Sequence, residues 1–125
     1  MRVRLEHKSS YIQGELEITG SKSESNRLLI LQALYPKIEI ENLSNSDDTE
    51  VTNHALNSSD SIINIHHAGT AMRFLTAYFS IQPDREIILT GSKRMQERPI
   101  RLLVDALKDL GAEISYDKKD GYPPL

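Results

Sequence analysis

The apolar residues of this chain change their spacing repeatedly, from every second residue to about every 3.6 residues and back. Alternating or continuous apolar runs predict strands. The apolar stripe over residues 99–110 predicts an amphipathic helix, because Pro99 suits a first helical position and Gly111 suits the end. Strands that alternate with helices are typical of an α/β (α+β) fold built from βαβ-like units. No low-complexity linker interrupts the pattern, so we expect residues 1–125 to form a single domain.

The same periodicities place the other elements along the chain. A helix over 23–35 is apolar almost all round, which predicts that it is deeply buried, and Pro36 ends it. Ser46, Asp47 and Asp48 are placed to cap a short helix. A further helix is predicted over 69–79. Strands are predicted over 3–7, 14–19, 37–42, 61–65, 86–90 and 112–116, with turns at 83–84 and 118–121.

Composition excludes several classes of function. Fifteen Lys and Arg against eighteen Asp and Glu give a net charge of −3, which argues against a nucleic-acid-binding protein. The absence of cysteine excludes disulfides, thiolate metal sites and a cysteine nucleophile. His66 and His67 do not suit a metal pair, because neighbouring strand residues point to opposite faces. Without a signal peptide or a run of about 18 apolar residues, we expect a cytoplasmic protein with no membrane partner and no metal.

Three segments, over 20–27, 68–73 and 91–99, share one pattern. Each follows a predicted strand, contains glycine beside a hydroxyl residue, and brings Lys or Arg to the start of a helix. Helix N-termini favour anions, and small residues allow a ligand to approach the backbone. Together the segments predict a site for a small, multiply anionic ligand at the ends of the strands. The cations of these segments are Lys22, Arg27, Arg73, Lys93, Arg94 and Arg98.

Each segment also has an ordinary structural interpretation. Ser21 or Ser23 can serve only as an N-cap, while Arg27 pairs with a nearby acidic residue. Thr70 can likewise cap the third helix, and an acidic residue such as Asp47 or Asp48 can neutralise Arg73. The cations over 91–99 can simply be solvated in a surface loop. The first segment is not a Walker phosphate loop, because the first glycine and its spacing are missing.

The three segments resemble the signature segments of the 5-enolpyruvylshikimate-3-phosphate synthases. The matching sequences are GSKSESNR at 20–27, AGTAMR at 68–73 and RMQERPI at 94–100. LLVDAL at 102–107, LGA at 110–112 and YPPL at 122–125 also resemble the family's continuation. The resemblance runs in order over residues 14–125, apart from residues 42–64. Many family members have asparagine where this chain has His67, and an imidazole can donate or accept a hydrogen bond as an amide does.

The resemblance implies an enzyme that transfers the enolpyruvyl group of phosphoenolpyruvate to the 5-hydroxyl of shikimate 3-phosphate and releases phosphate. This reaction belongs to the shikimate pathway, which leads to chorismate and the aromatic amino acids. It implies a fold of two similar domains made of repeated βαβαββ units, no organic cofactor, and a monomeric full-length protein. This chain corresponds to a truncated part of the N-terminal domain, so we expect it to be inactive alone. The missing remainder leads us to expect self-association.

The resemblance also assigns roles to individual residues. Lys22 corresponds to the lysine that contacts both substrates, and it is the one candidate here for proton transfer. Ser23 and Arg27 correspond to residues that hold shikimate 3-phosphate. Gly69, through its backbone, and Arg98 correspond to residues that bind phosphoenolpyruvate. Thr70 and Arg73 are possible further contacts, whereas Lys93 and Arg94 are expected to support the site from outside it. The family's acid–base carboxylates have no counterpart in Glu24 or Glu97.

Three alternatives remain open. The related enolpyruvyl transferases that act on a UDP-sugar usually carry a reactive cysteine and another lysine motif, so the absence of cysteine argues against them. A stand-alone module that binds small anions without performing chemistry is a second possibility. A fragment whose one demonstrable property is folding is the third.

Overall fold

The computed structural model describes residues 3, 4, 6, 11 and 13–125. Within those residues the chain forms five helices and two strands. In order, they are α1 (Lys22–Leu34), α2 (Asp47–Asn57), β1 (Ile62–Asn64), α3 (Gly69–Phe79), β2 (Ile88–Thr90), α4 (Lys93–Gln96) and α5 (Arg101–Asp109).

The two strands are parallel neighbours connected by α3. Ile63 lies opposite Leu89 in the register, and the amide of Ile65 extends the pairing by donating to the carbonyl of Thr90 at 2.9 Å. On the other side of β2, Leu89 and Leu125 exchange backbone hydrogen bonds of 2.9 and 3.1 Å. A parallel pair with a helical crossover is the βαβ unit that the periodicity predicts, and the α/β class is therefore confirmed.

The core forms where α3 covers this strand pair. Leu75 and Ala71 on the inner face of α3 are fully buried, as are Ile65 after β1 and Val104 on α5. These side chains belong to one continuous apolar cluster that also reaches α2 through Ala55. The packing fixes where α3 begins relative to the ends of both strands, and this placement matters for the site below.

Three predicted strands do not form. Residues 14–19, 37–42 and 112–116 have no strand conformation, although each carries an alternating pattern. Leu16 and Ile18, which the alternating pattern places on one face of the predicted strand 14–19, are 89% and 77% exposed. A strand needs a neighbouring ladder, and the backbones of these segments form none with other described residues. The prediction over 3–7 lies partly outside the described residues.

The expectation that α1 is deeply buried is also wrong. Its buried side chains are Ser25, Asn26 and Leu29, whereas Leu31 and Leu34 are 43% and 40% exposed. The helix packs against α2 and α3. These two helices cover one face of α1, which leaves the apolar residues of the opposite face in solvent.

Helix boundaries follow the predictions more closely. Gly111 has φ of +97°, as expected of a residue that ends a helix, but the first residue of α5 is Arg101 and not Pro99, with Ile100 at the N-cap. Helix α4 was not predicted, since its sequence looked like a loop of cations. Ser46 precedes α2, although its side chain makes no capping hydrogen bond.

The hydroxyl of Tyr116, which lies outside the three segments singled out above, allows a test of how burial affects stability. Its hydroxyl oxygen is buried with no hydrogen-bond partner in the described part of the chain, and burial, then the nearby Asp105 carboxylate, raises its pKa. The neutral phenol therefore stabilises the fold below about pH 10, and this contribution is lost as pH rises further. We expect Tyr116→Phe to leave the free energy of unfolding unchanged or to raise it by about 1 kcal/mol. Its stability should also fall less steeply above about pH 10.

Urea denaturation of both proteins at about pH 8 and about pH 10.5 measures this effect. A variant that loses more than about 1 kcal/mol at the lower pH would mean that the hydroxyl has a stabilising partner.

Candidate functional site

A lysine–aspartate ion pair and a close aspartate–histidine contact connect the starts of three helices. Lys22 at the start of α1 places its Nζ 3.8 Å from Oδ1 of Asp48 in the first turn of α2. The neighbouring Asp47 places its Oδ2 3.8 Å from Nε2 of His67, which precedes α3. Asp48 is mostly buried, whereas the Lys22 side chain is 51% exposed. The acidic start of α2 thus lies between the starts of α1 and α3.

The start of α3 is covered by Arg98. A β-carbon added to Gly69 would lie 2.2 Å from Nη1 of Arg98, so the guanidinium packs directly on the glycine. Arg98 lies between α4 and α5, and the segment carrying it reaches α3 because Ile100 is buried in the core. The absence of a side chain at Gly69 is what allows this cation to approach the N-terminal end of the helix.

The guanidinium of Arg73 donates hydrogen bonds to two nearby backbone carbonyls. Its Nη1 donates to the carbonyl of Gly69 at 3.2 Å, and its Nη2 donates to the carbonyl of Pro99 at 3.4 Å. It does not pair with Asp47 or Asp48, so the expected acidic partner is not the one used. Arg73 instead connects the first turn of α3 to the segment that carries Arg98, which is an organising role.

The start of α1 holds the other cations and hydroxyls singled out from sequence. Ser21 caps the helix by accepting from the amide of Glu24 at 3.5 Å. Arg27 donates to the carbonyl of Ser23 at 2.7 Å, and its Cζ lies 5.8 Å from the centroid of the Phe74 ring. Within the described residues Arg27 has no acidic partner at salt-bridge distance, so its charge is available to an anion. The hydroxyl of Ser23 lies on the exposed surface of the same turn.

Helix α4 holds the remaining predicted cations away from these contacts. Ser92 caps it by accepting from the amide of Met95, whose side chain is buried and anchors the turn. Lys93 and Arg94 are both exposed. Thr70 is the second residue of α3 and half-buried, while the cap position belongs to Ala68, so the expected capping role of Thr70 is wrong.

Two features of this site were missed by sequence reasoning. Asp48 was considered as a partner of Arg73, although its partner is Lys22. Asn26 and Thr49 are fully buried polar residues at the contact between α1 and α2. The available signal was a polar residue in an otherwise apolar helix, which usually means a buried hydrogen bond.

The arrangement favours anions over metals. Lys22, Arg27 and Arg98 bring three cations to neighbouring helix starts, where the backbone amides also favour negative charge. Among the described residues, no group of three His, Cys, Asp or Glu side chains is placed to hold a metal ion. In the same part of the chain, no helix has the length and apolar character needed to cross a membrane.

The chain is similar to curated proteins from several bacteria that carry the same name. A 3-phosphoshikimate 1-carboxyvinyltransferase of Bacteroides fragilis is 50% identical over 117 residues, covering 93% of this chain and 28% of the relative. The enzyme of the same name from Pasteurella multocida is 41% identical, covering 93% of this chain and 34% of the relative. The chain thus spans about a third of the length of the relatives it matches.

The alignment with the Pasteurella multocida enzyme extends over 148 positions, more than the 125 residues of this chain. This chain therefore lacks residues that the relative has within the aligned region. The family model for EPSP synthase (3-phosphoshikimate 1-carboxyvinyltransferase) matches two consecutive segments, residues 6–58 and 56–125. These segments meet at the last turn of α2, which indicates that the connection from α2 to β1 is where this chain is shorter. Since the match covers nearly all of its residues, the chain belongs to the EPSP synthase family.

Proposed function

We propose that this chain supplies part of the substrate site of a 3-phosphoshikimate 1-carboxyvinyltransferase. The complete enzyme would transfer the enolpyruvyl group of phosphoenolpyruvate to the 5-hydroxyl of shikimate 3-phosphate and release phosphate. The observation that carries the proposal is the packing of Arg98 on Gly69 at the start of α3. This places a guanidinium at a helix N-terminus on the edge where the helix starts meet, in a member of this family.

In this proposal the start of α1 binds shikimate 3-phosphate. Lys22 and Arg27 contribute charge, and Ser23 contributes a hydroxyl on the same turn. Lys22 is half exposed, and Arg27 has no acidic partner within the part of the chain that the structure describes; both observations support the assignment. An incoming phosphate would draw the Lys22 ammonium away from Asp48, since a dianion attracts it more strongly than one carboxylate at 3.8 Å.

The start of α3 binds phosphoenolpyruvate in the same proposal. Gly69 presents its backbone, and Arg98 pairs with the carboxylate or phosphate of the substrate. Arg73 holds the two segments together through the carbonyls of Gly69 and Pro99. Thr70 is close enough in sequence to add a hydroxyl contact. Lys22 pairs with Asp48, whose neighbour Asp47 contacts His67 before α3, and this position between the two helix starts suits a residue shared by both substrates.

The chemistry that these residues can perform is electrostatic. The family reaction protonates the methylene carbon while the hydroxyl attacks the adjacent carbon, and the tetrahedral intermediate then expels phosphate. Fixed cations stabilise the charge that develops on the leaving phosphate. Lys22 is the one candidate here for proton transfer, and an acid and a base must both be positioned. We therefore propose that this chain alone is inactive and that the acid–base carboxylates come from elsewhere in the enzyme.

The remaining features of the proposal concern its setting. Residues 1–125 form part of the N-terminal domain of a two-domain enzyme built from repeated βαβαββ units. The enzyme acts in the cytoplasm on small anionic substrates, as a monomer without organic cofactor or nucleic acid. The exposed apolar residues of α1, including Leu31 and Leu34, support a tendency of the isolated chain to self-associate.

Calorimetric titration with shikimate 3-phosphate tests the first half of the site. We expect saturable binding that is lost in Lys22→Ala/Arg27→Ala, since both charges at the start of α1 disappear. Lys93→Ala/Arg94→Ala is the matched control, because it removes the same charge from the exposed face of α4. It should bind as the unsubstituted chain does.

An equal loss of affinity for shikimate 3-phosphate in both double variants would mean that net charge alone attracts the ligand, which contradicts the assigned site. Equally tight binding of inorganic sulfate would favour a general anion-binding module over an enzyme site. No binding by a folded sample would contradict a preformed site in this chain.

A further inference from the structure

A chain of hydrogen bonds between two hydroxyls and an amide connects α1 to α2. Asn26 and Thr49 are both 0% exposed, and Oγ1 of Thr49 donates to Oδ1 of Asn26 at 2.8 Å. The hydroxyl of Ser46 lies 3.0 Å from Oγ1 of Thr49. Because Thr49 has one hydroxyl hydrogen and gives it to Asn26, Ser46 must be the donor in this second bond. The side chain of Ser46 is thereby directed into the helix contact, which explains why it does not cap α2.

These bonds lie beside the ion pair of the proposed site. Lys22 and Asn26 are four residues apart and so share one face of α1. Ser46 and Thr49 flank the two acidic residues at the start of α2, of which Asp48 pairs with Lys22. The hydrogen bonds and the ion pair are therefore consecutive contacts across one helix interface. A change in the first set is therefore expected to alter the separation of the charges in the second.

Asn26 is not the residue that stability alone would favour. Its Nδ2 is buried and has no hydrogen-bond partner among the described residues. A buried amide without a partner reduces stability, and an apolar side chain of similar shape would avoid that loss. Buried polar groups of this kind can specify one arrangement of packed helices over others.

We propose that Asn26 is a positioning residue for the substrate site. Through Thr49 and Ser46 it fixes the first turn of α2 against the first turn of α1, and so sets the Asp48 carboxylate against the Lys22 ammonium. The inference concerns the placement of Lys22, and it rests on the proposed function only where that placement affects substrate binding.

The test uses the double variant Asn26→Leu/Thr49→Val, which replaces both hydrogen-bond partners by apolar groups of similar shape. We expect its thermal midpoint to be unchanged or higher, because the unpartnered amide disappears. We expect its affinity for shikimate 3-phosphate to fall about tenfold, because Lys22 loses its fixed position. A merely structural role of Asn26 would instead lower the thermal midpoint and the affinity together.

Thr52→Val is the matched control. Thr52 is equally buried on α2, but its hydroxyl donates to the carbonyl of Asp48 within the same helix, at 2.7 Å. Among the described residues its side chain has no hydrogen bond across the interface, so we expect unchanged affinity. Thr49→Ser retains the cross-helix hydroxyl and should bind as the unsubstituted chain does. Weakened binding in Thr52→Val equal to that of the double variant, or no rescue by Thr49→Ser, would overturn the inference.

A second measurement separates this inference from the proposed function. Reductive ¹³C-methylation labels lysine amines without removing their charge, and the Lys22 signal is identified by its loss in Lys22→Arg. In the double variant this signal should shift toward its position in Asp48→Asn, because the ion pair is lost. An unshifted signal would refute the positional role, whether or not the chain binds shikimate 3-phosphate. A shifted signal in a chain that does not bind would instead count against the proposed function.

Discussion

Gly69→Ala is expected to raise the KM for phosphoenolpyruvate by about a hundredfold while leaving the fold intact. The added β-carbon would lie 2.2 Å from Nη1 and 2.9 Å from Cζ of Arg98, so the guanidinium must move. These atoms are the far end of a flexible side chain, and moving them costs little folding stability. The displaced guanidinium no longer faces the start of α3, so we expect the substitution to weaken phosphoenolpyruvate binding rather than to destabilise the fold. Steady-state kinetics of the chain extended to the full length of its relatives, with thermal denaturation alongside, measures both effects.

Gly14→Ala is the control for Gly69→Ala. Among the described residues, apart from its chain neighbours, no atom lies within 4 Å of a β-carbon added at Gly14, so the same substitution meets open space there. We expect its kinetics and thermal midpoint to be unchanged. A Gly69→Ala enzyme with normal KM would mean that Arg98 does not bind phosphoenolpyruvate from the position it occupies here. A large drop in thermal midpoint would mean that the clash is absorbed by the backbone.

Unlike Gly69→Ala, which is expected to leave the fold intact, Gly20→Ala is expected to cause a large loss of folding stability. A β-carbon at Gly20 would lie 1.9 Å from the carbonyl oxygen of Asn42 and 3.4 Å from the amide nitrogen of Ser44. Both are backbone atoms of the segment that leads into α2, so the two chain segments must separate. We expect the free energy of unfolding to fall by about 3 kcal/mol.

Urea denaturation of the isolated chain measures that loss as a fall of about 1–2 M in the transition midpoint. Gly14→Ala again serves as the control, and its midpoint should not move. An unchanged midpoint in Gly20→Ala would contradict the close approach of the segments before α1 and before α2. The same result would weaken the case that these segments hold the starts of the two helices together.

The sequence predicted the elements whose signals are local. Helix α5 has its apolar stripe and a terminating Gly111 within its own residues, and α3 is equally self-contained. The segments over 14–19 and 112–116 carry alternating patterns as well, but a strand requires a neighbour that local sequence does not specify. The burial of α1 was misjudged for a related reason, because burial depends on how many elements pack around a helix.

The location of the candidate site was predictable, but its internal contacts were not. Cations at the starts of α1 and α3 were expected to meet because helix starts collect at one edge of parallel strands. The pairing of Lys22 with Asp48, and the turn of Arg73 toward Pro99, depend on side-chain approaches within about 4 Å. Such approaches are set by packing across the whole domain, as with Asn26 and Thr49, and no periodicity encodes them.

The shorter connection between α2 and β1 has an evolutionary consequence. The eleven residues of α2 separate that connection from Asp47 and Asp48 by about 16 Å. Insertions and deletions at the far end of the helix are therefore insulated from the charges at its start. A surface connection of this kind tolerates changes in length, so we expect lineages to lengthen or shorten it without disturbing the candidate site. Helix α2 thus separates a connection whose length can vary, at its C-terminal end, from the acidic residues at its N-terminal end.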